Sequence, residues 1–167
     1  LEDGDVSLVC ETMGGSHPAF EYSISCMKAG KSVVTSNKEL VSEHGCELLK
    51  IAKEKNVCYL FEASVGGGIP VIRPLSRCLA ANNITRIAGI LNGTTNYILT
   101  KMTEEGLAYE DVLKDAQEKG FAEADPTADV EGIDAANKLS ILMHIIHSEH
   151  MICRSQHDFS SFCQYHG

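Results

Sequence analysis

Five carboxylates precede a single lysine in the segment AEADPTADVEGIDAANK, residues 122–138. Asp134 and Lys138 are four residues apart on a predicted helix, so their side chains share one face. Such a pair is most often a solvated surface ion pair, worth roughly a few tenths of a kcal/mol. The same residue types also suit a zwitterionic amino acid, because carboxylates would take its ammonium group while the lysine meets an oxygen or moves a proton.

A second polar segment, GILNGTTNYI, lies at residues 89–98 between a predicted strand and a predicted helix. Thr94 could cap that helix through its hydroxyl. Capping explains one hydroxyl, but it does not explain two threonines beside an asparagine and a glycine. The carboxyl end of a strand is where α/β sheets place ligands, so we expect a binding role for this turn.

Three successive glycines follow a strand in EASVGGGIP, residues 62–70. Glycine lets the backbone adopt positive φ or approach a ligand closely. The simpler interpretation is a tight strand-to-helix turn. The functional one is a nest of carbonyls or amides that binds an ion or a phosphate, although the Lys-Ser/Thr end of a P-loop is absent.

The elements that would position these residues form a βαβ pattern. Apolar runs predict strands at 5–11 and 32–35 around a helix at 18–29, and this order is typical of a parallel sheet. Lys38 follows the second strand, where it would be either an exposed lysine or a proton carrier in a cleft. The chain is therefore predicted to be α/β, with residues 1–38 forming the end of a doubly wound, Rossmann-like nucleotide-binding sheet.

The rest of the chain predicts a second α/β domain over 39–147 with its own sheet. Two short helical pieces should flank Gly45, and strands should occupy 57–62 and 84–91. Helices are predicted at 70–81, 95–105, 109–119 and 133–147, with an acidic loop at 121–129. Residues 148–167 are predicted to form a tail. Its His150, Cys153 and His157, together with His144 and His147 just before it, give only weak evidence for zinc, and we favour a frayed tail.

Composition narrows the class of protein. The 167 residues carry a formal charge of −9 without a cluster of Lys and Arg, which argues against nucleic acid as a partner. No apolar run is long enough to cross a bilayer, and the first residues do not resemble a secretory signal. Seven cysteines show no C-x-x-C spacing, and those at 10, 26, 58 and 78 are expected to be reduced core residues. A cytoplasmic protein is the expectation.

These segments, in this order, closely resemble homoserine dehydrogenase. The resemblance covers residues 3–143 through ETMGG, VVTSNK, FEASVGGGIPVIRPL, RIAGILNGTTNYIL and GFAEADPTADVEGIDAANKLSIL. It implies an N-terminal Rossmann domain followed by a catalytic and dimerisation domain built on a mixed sheet, assembled as a homodimer. It also implies hydride transfer between NAD(P)H and aspartate 4-semialdehyde, an amino-acid substrate whose product is homoserine.

The resemblance also assigns roles to residues. Lys138 matches the catalytic lysine and Asp134 its acidic partner, while Lys38 matches a second lysine near nicotinamide and substrate. For the substrate it implies contacts with Glu123, Asp129, Gly93 and Thr94, and for the NADP or NAD cofactor contacts with Thr12, Met13, Gly14 and Lys38. For a monovalent cation, usually sodium, it implies Glu62 and the backbone carbonyls of Val65, Gly67 and Ile69, an oxygen-only set that suits a hard cation.

Two departures from the family pattern affect the expected activity. The G-x-G-x-x-G turn that seats the pyrophosphate is expected before residue 1, and the tail from about residue 148 diverges. We therefore expect weak cofactor binding and little or no turnover by this chain alone. The alternatives are a non-catalytic remnant that only dimerises, and an NAD(P)-linked oxidoreductase for another aldehyde. Glu123 and the Asp134–Lys138 pair argue against the latter, because a substrate without an ammonium group has no use for those acids.

Overall fold

The computed structural model describes residues 2–147. The predicted tail, with His150, Cys153 and His157, lies outside this range. Within it the chain divides into two compact units, one formed by residues 2–84 with 140–147 and the other by Thr85–Leu139. The domain division at residue 38, which rests on the pattern of predicted strands and helices, stays a prediction.

A three-stranded parallel sheet organises the first unit, which confirms the predicted α/β class. Its strands are β1 (Leu8–Glu11), β2 (Ser32–Thr35) and β3 (Tyr59–Leu60), in the order β1-β2-β3. The register pairs Val9 with Val33 and Val34 with Leu60. The strand predicted at 57–62 therefore extends the first sheet and does not begin a second one.

Two helices connect these strands. Helix α1 (Ala19–Lys28) follows β1, and α2 (Lys38–Lys55) follows β2. The prediction of two helical pieces around Gly45 was wrong, because α2 continues through it. A glycine inside a helix costs about 1 kcal/mol. Here the Asn37 cap and a buried apolar face offset that cost; the buried side chains on this face are Leu40, Val41, Leu48 and Ala52.

The segment after the glycine turn is less regular than predicted. Instead of a helix over 70–81, the chain makes a short helical segment whose last part is a π-helical turn, Pro74–Cys78. In this turn the Leu79 N–H donates to the Pro74 carbonyl at 3.1 Å. Proline inside a helix removes one donor and crowds the preceding turn, which favours such a widened turn.

The second unit contains helices packed without a sheet. Its helices are α3 (Gly93–Glu105), α4 (Tyr109–Glu118), α5 (Thr127–Val130) and the first part of α6 (Ile133–His147). The strand predicted at 84–91 was wrong: no residue between 2 and 147 pairs with this segment. A strand requires a neighbour to bond its backbone groups, so an apolar pattern alone does not produce one. The predicted mixed sheet is accordingly not formed by the described residues.

No disulfide links the cysteines between residues 2 and 147, as predicted, but only some of them are core residues. Cys26 is buried and Cys58 is half-buried, whereas Cys10, Cys46 and Cys78 are exposed. Core positions for Cys10 and Cys78 were thus wrong. Cys10 lies on the edge strand β1, which has a neighbour on only one side, and Cys78 ends the irregular π-helical turn.

Candidate active site

Lys138 and Asp134 form an ion pair on α6. The Lys138 Nζ donates to Asp134 Oδ2 at 2.6 Å and to the Leu91 carbonyl at 2.9 Å. The exposed fractions of the two side chains are 20% for Lys138 and 7% for Asp134, so this is not a solvated surface pair. Because an ammonium has three donors, one N–H remains beyond these two bonds.

Asn92 connects this pair to a further carboxylate. Its Nδ2 donates to Asp134 Oδ2 at 2.9 Å and to Asp129 Oδ1 at 2.6 Å. Its Oδ1 accepts from the Thr95 N–H at 2.7 Å, which makes Asn92 the N-cap of α3. The prediction that Thr94 caps this helix was wrong, since α3 begins two residues earlier than predicted.

The threonines of the turn instead hold neighbouring segments. The buried Thr94 hydroxyl donates to the Phe121 carbonyl at 2.7 Å, and Thr95 Oγ1 donates to the Asp129 carbonyl at 3.3 Å. Gly93 is exposed, and a Cβ added there would meet no atom within 4 Å. Packing therefore does not require glycine at this position, whereas close approach of a ligand would.

The acidic loop carrying Glu123 is anchored through its backbone. Gln117 Nε2 on α4 donates to the Glu123 carbonyl at 3.1 Å. The Glu123 side chain is exposed, and it makes no hydrogen bond or ion pair with the residues that the structure describes. Nearby, hydrogen bonds from the Thr127 hydroxyl and N–H hold the pKa of Asp125 below its ordinary value.

In the first unit, a buried network orders the turn after β1. Thr35 Oγ1 donates to the buried Glu11 carboxylate and accepts from the Asn37 N–H. Asn37 Nδ2 then donates to the carbonyls of Met13 and Gly15, at 3.2 and 2.7 Å. Asn37 also caps α2, whose first residue is Lys38. The exposed turn Thr12–Gly14 and Lys38 are thus held together where two parallel strands end.

The glycine turn is ordered by Glu62. Its carboxylate accepts three backbone N–H bonds of 2.8 to 3.0 Å, from Val71, Ile72 and Arg73. Gly66 and Gly67 both have positive φ. No backbone N–H of the described residues donates to the carbonyls of Val65, Gly67 or Ile69. These three oxygens are therefore available to an external ligand.

Comparison with known proteins decides the family. The homoserine dehydrogenase family model matches residues 70–158, just over half of the chain. Homoserine dehydrogenase from Bacillus subtilis is 51% identical over 145 residues, which cover 87% of this chain and 34% of that protein. The chain belongs to the homoserine dehydrogenase family. It spans about a third of the length of the curated relatives that it matches.

Solved structures of homoserine dehydrogenases share its fold. The Thiobacillus denitrificans enzyme superposes with a TM-score of 0.80 at 51% identity, over 84% of this chain and 32% of that chain. A hyperthermophilic archaeal homoserine dehydrogenase in complex with NADPH gives a TM-score of 0.79 at 36% identity, over 85% of this chain and 44% of that chain.

Sequence reasoning found some members of each network and missed others. Within the second unit, the predicted residues Asp129, Asp134 and Lys138 lie in one hydrogen-bonded network. Asn92, which joins them, was named only as part of the polar turn and was given no role of its own. In the first unit the missed residues are Glu11, Thr35 and Asn37. The available signal was an asparagine near the predicted start of each helix, since asparagine is a preferred N-cap; Asn37 and Asn92 directly precede the observed α2 and α3.

Residues 2–147 contain neither a metal-binding cluster of acidic, histidine and cysteine side chains nor a membrane-spanning helix. No group of three or more His, Cys, Asp and Glu side chains there could hold a metal ion. No helix among them has the length and apolar character needed to span a membrane. The carbonyl oxygens of the glycine turn are backbone ligands and so belong to a different class from these side chains.

Proposed function

We propose that this homoserine dehydrogenase chain contributes to NAD(P)-dependent interconversion of L-homoserine and L-aspartate 4-semialdehyde. The observation that carries the proposal is the largely buried Asp134–Lys138 pair, with a 2.6 Å bond and one ammonium N–H left over. A surface ion pair would not be enclosed in this way. The names of the relatives support the reaction.

Lys138 is the proposed proton carrier. The nicotinamide cofactor, when bound, supplies or accepts the hydride at the substrate carbon. The negative oxygen that develops there needs a proton, which the remaining N–H of Lys138 would deliver. Asp134 and the Leu91 carbonyl orient the ammonium by accepting its other two hydrogens. Lys38 is the second candidate, acting directly or through one water.

The substrate's ammonium group would be held by carboxylates. Glu123 is exposed on a loop anchored by Gln117, and Asp129 is half-buried beside Asn92. Gly93 and Thr94 would line the same pocket, where the absence of a side chain at Gly93 permits close approach. A zwitterionic substrate matches this combination of acids and one lysine better than a simple aldehyde does.

The cofactor would contact Thr12, Met13, Gly14 and Lys38. These residues lie at the carboxyl ends of β1 and β2, the edge where parallel sheets bind nucleotides, and Asn37 fixes their relative positions. This position in the sheet fits the binding of a nicotinamide cofactor. The NADPH complex of the archaeal relative supports NADP, and NAD is the alternative.

The cation would bind at the glycine turn. The carbonyls of Val65, Gly67 and Ile69 lack backbone donors, and oxygen ligands suit sodium. Glu62 fits as the residue that shapes the turn, because its carboxylate already accepts three N–H bonds. Titration with sodium chloride, using choline chloride as the ionic-strength control, should raise the thermal midpoint, and equal effects of both salts would contradict this site.

Two further predictions concern the assembly and its compartment. We infer a homodimer from the family pattern, and light scattering of the purified chain tests it.

A cytoplasmic location is supported by the exposed Cys10, Cys46 and Cys78, which form no disulfide, since reducing compartments keep thiols reduced.

The deciding experiment is NADPH oxidation with aspartate semialdehyde by the chain as given. We expect little or no turnover, and Lys138→Ala should abolish whatever turnover the unmodified chain shows. Lys114→Ala, which removes an exposed lysine from α4, should leave it unchanged. Unchanged turnover in Lys138→Ala would contradict the role of Lys138. Absence of turnover from a folded chain would contradict catalysis by this chain alone and favour the non-catalytic, dimerising alternative.

A further inference from the structure

Asn92 contacts the proposed active site in a way that its capping role does not require. We propose that Asn92 is a positioning residue, whose carboxamide holds Asp129 and Asp134 side by side and thereby keeps Asp134 on Lys138. The inference rests on the proposed function for its catalytic meaning. Its structural content stands on the hydrogen bonds of the second unit alone.

The orientation of the Asn92 carboxamide is fixed by its partners. Its Oδ1 accepts from the Thr95 N–H at 2.7 Å, and its Nδ2 donates to the two carboxylates at 2.6 and 2.9 Å. The reversed amide would place an oxygen against two carboxylate oxygens and an NH2 group against an N–H. Both contacts would be repulsive, so only the observed orientation satisfies all three bonds.

Charge explains why a neutral donor is needed here. The charged groups facing the amide are Asp129 on α5 and, on α6, Asp134 with its partner Lys138. Two carboxylates bonded to one nitrogen repel each other, and Lys138 bonds only one of them, at Oδ2 of Asp134. The two amide hydrogens give each carboxylate one hydrogen bond, which offsets part of their mutual repulsion. Asp134 can then keep its bond to the Lys138 ammonium.

A capping role alone would not select asparagine. A cap needs only an acceptor for the Thr95 N–H, and aspartate or serine supplies one equally well. Asparagine differs from aspartate by its NH2 group, and that group makes the bonds to Asp129 and Asp134. Asn92→Asp therefore separates the two roles, because it preserves the cap, the size and the shape while it removes both donors.

The first test measures titration and is independent of turnover. In Asn92→Asp three carboxyl groups would share one site, so one of them should have a pKa raised by about one to three units. A carboxyl pKa raised in the folded state adds stability below the ordinary carboxyl pKa, and this is lost as pH rises through the raised value. The urea midpoint of the variant should thus approach that of the unmodified chain at pH 4 and fall below it by pH 7.

Carboxyl ¹³C NMR of the same samples should show the additional titration step. The matched control is Asn82→Asp, which makes the same change at an exposed turn residue and should show neither effect. The proposal would be overturned if the urea midpoints of Asn92→Asp and the unmodified chain differed by the same amount at pH 4 and pH 7 and no carboxyl pKa were raised.

If Asn92→Asp does not fold at any pH, a second variant that moves the added negative charge tests the proposal. Adding Asp129→Asn restores one neutral amide to the group, so the double variant should regain cooperative unfolding. Failure of this rescue would overturn the proposal. Where the unmodified chain turns over, Asn92→Asp should lower kcat roughly 10- to 100-fold, and an unchanged kcat would overturn the positioning role. Lack of turnover in the unmodified chain contradicts only the proposed function, since the titration test does not depend on it.

Discussion

Asp134 and Lys138 lie one helical turn apart on α6 and are joined by a 2.6 Å hydrogen-bonded ion pair that is largely withdrawn from solvent. The enclosure changes what the pair contributes. An exposed pair at this spacing adds little to stability, because water screens it. A buried pair is costly to break, because removal of one partner leaves the other charge poorly solvated.

A double-mutant cycle should detect this enclosure. We expect Asp134→Asn and Lys138→Met each to lower the free energy of unfolding by about 2 kcal/mol, and the double variant by about 1–2 kcal/mol less than their sum. Urea unfolding of the four proteins measures the coupling. The exposed Lys101–Glu105 pair on α3 is the matched control and should show much smaller coupling. Equal coupling in both cycles would contradict the special status of the α6 pair.

The contrast between these two pairs shows what the sequence could and could not reveal. Spacing places Asp134 with Lys138 and Lys101 with Glu105 in the same way, as i,i+4 pairs on a helix face. Burial separates them, and burial depends on what packs over the helix. The sequence pattern thus predicts which residues share a face, whereas the tertiary structure decides which face becomes a site.

The same distinction applies to the fold. The strands at 8–11 and 32–35 were predictable because apolar runs, short loops and a helix between them form a self-contained βαβ unit. The segment 84–91 has a similar apolar pattern but no strand partner within residues 2–147. Networks such as that of Asn92 join residues about 40 positions apart, and no local pattern predicts such contacts.

Gly66 should be the least replaceable glycine of the turn at 62–70. Its φ is +83°, and an added Cβ would lie 2.9 Å from the Ile69 carbonyl oxygen and 3.0 Å from Val71 Cγ2. Gly67 also has positive φ, but its surroundings are open. We expect Gly66→Ala to lower the free energy of unfolding by about 2–3 kcal/mol, and Gly67→Ala by about 1 kcal/mol. If thermal or urea unfolding showed that both variants lose a similar amount of stability, the steric explanation would be contradicted.

Removal of one tyrosine hydroxyl should stabilise the protein. The Tyr59 hydroxyl is buried and has no hydrogen-bond partner among the described residues, and burial raises the pKa of this phenol. Since an unpaired buried hydroxyl is unfavourable, Tyr59→Phe should raise the free energy of unfolding by about 1 kcal/mol. Tyr97→Phe is the matched control and should lower the free energy of unfolding, because the Tyr97 hydroxyl forms hydrogen bonds with both Asp115 and Lys119. A lower free energy of unfolding for Tyr59→Phe, measured by urea unfolding, would contradict the prediction.

Asp115 should contribute a pH-dependent part of the stability. Hydrogen bonds from Lys119 and from the Tyr97 hydroxyl lower the pKa of this carboxyl in the folded protein. A lowered folded-state pKa gives stability that is present above the unfolded value, about 3.9, and that disappears as pH falls through the folded value. Asp115→Asn should therefore lower the urea midpoint at pH 6, and the difference from the unmodified chain should shrink towards pH 2.5.

The carboxyl is exposed, so salt should weaken the Asp115 effect as well. Asp111→Asn, on the same helix α4, is the control for removal of one negative charge. It lacks the Lys119 and Tyr97 hydrogen bonds, so its effect on the midpoint should vary much less between pH 6 and pH 2.5. The two variants differ in local partners and not in charge, which makes their comparison decisive. If both show the same pH dependence, the cause is the overall charge of the chain and not the Tyr97–Asp115–Lys119 cluster.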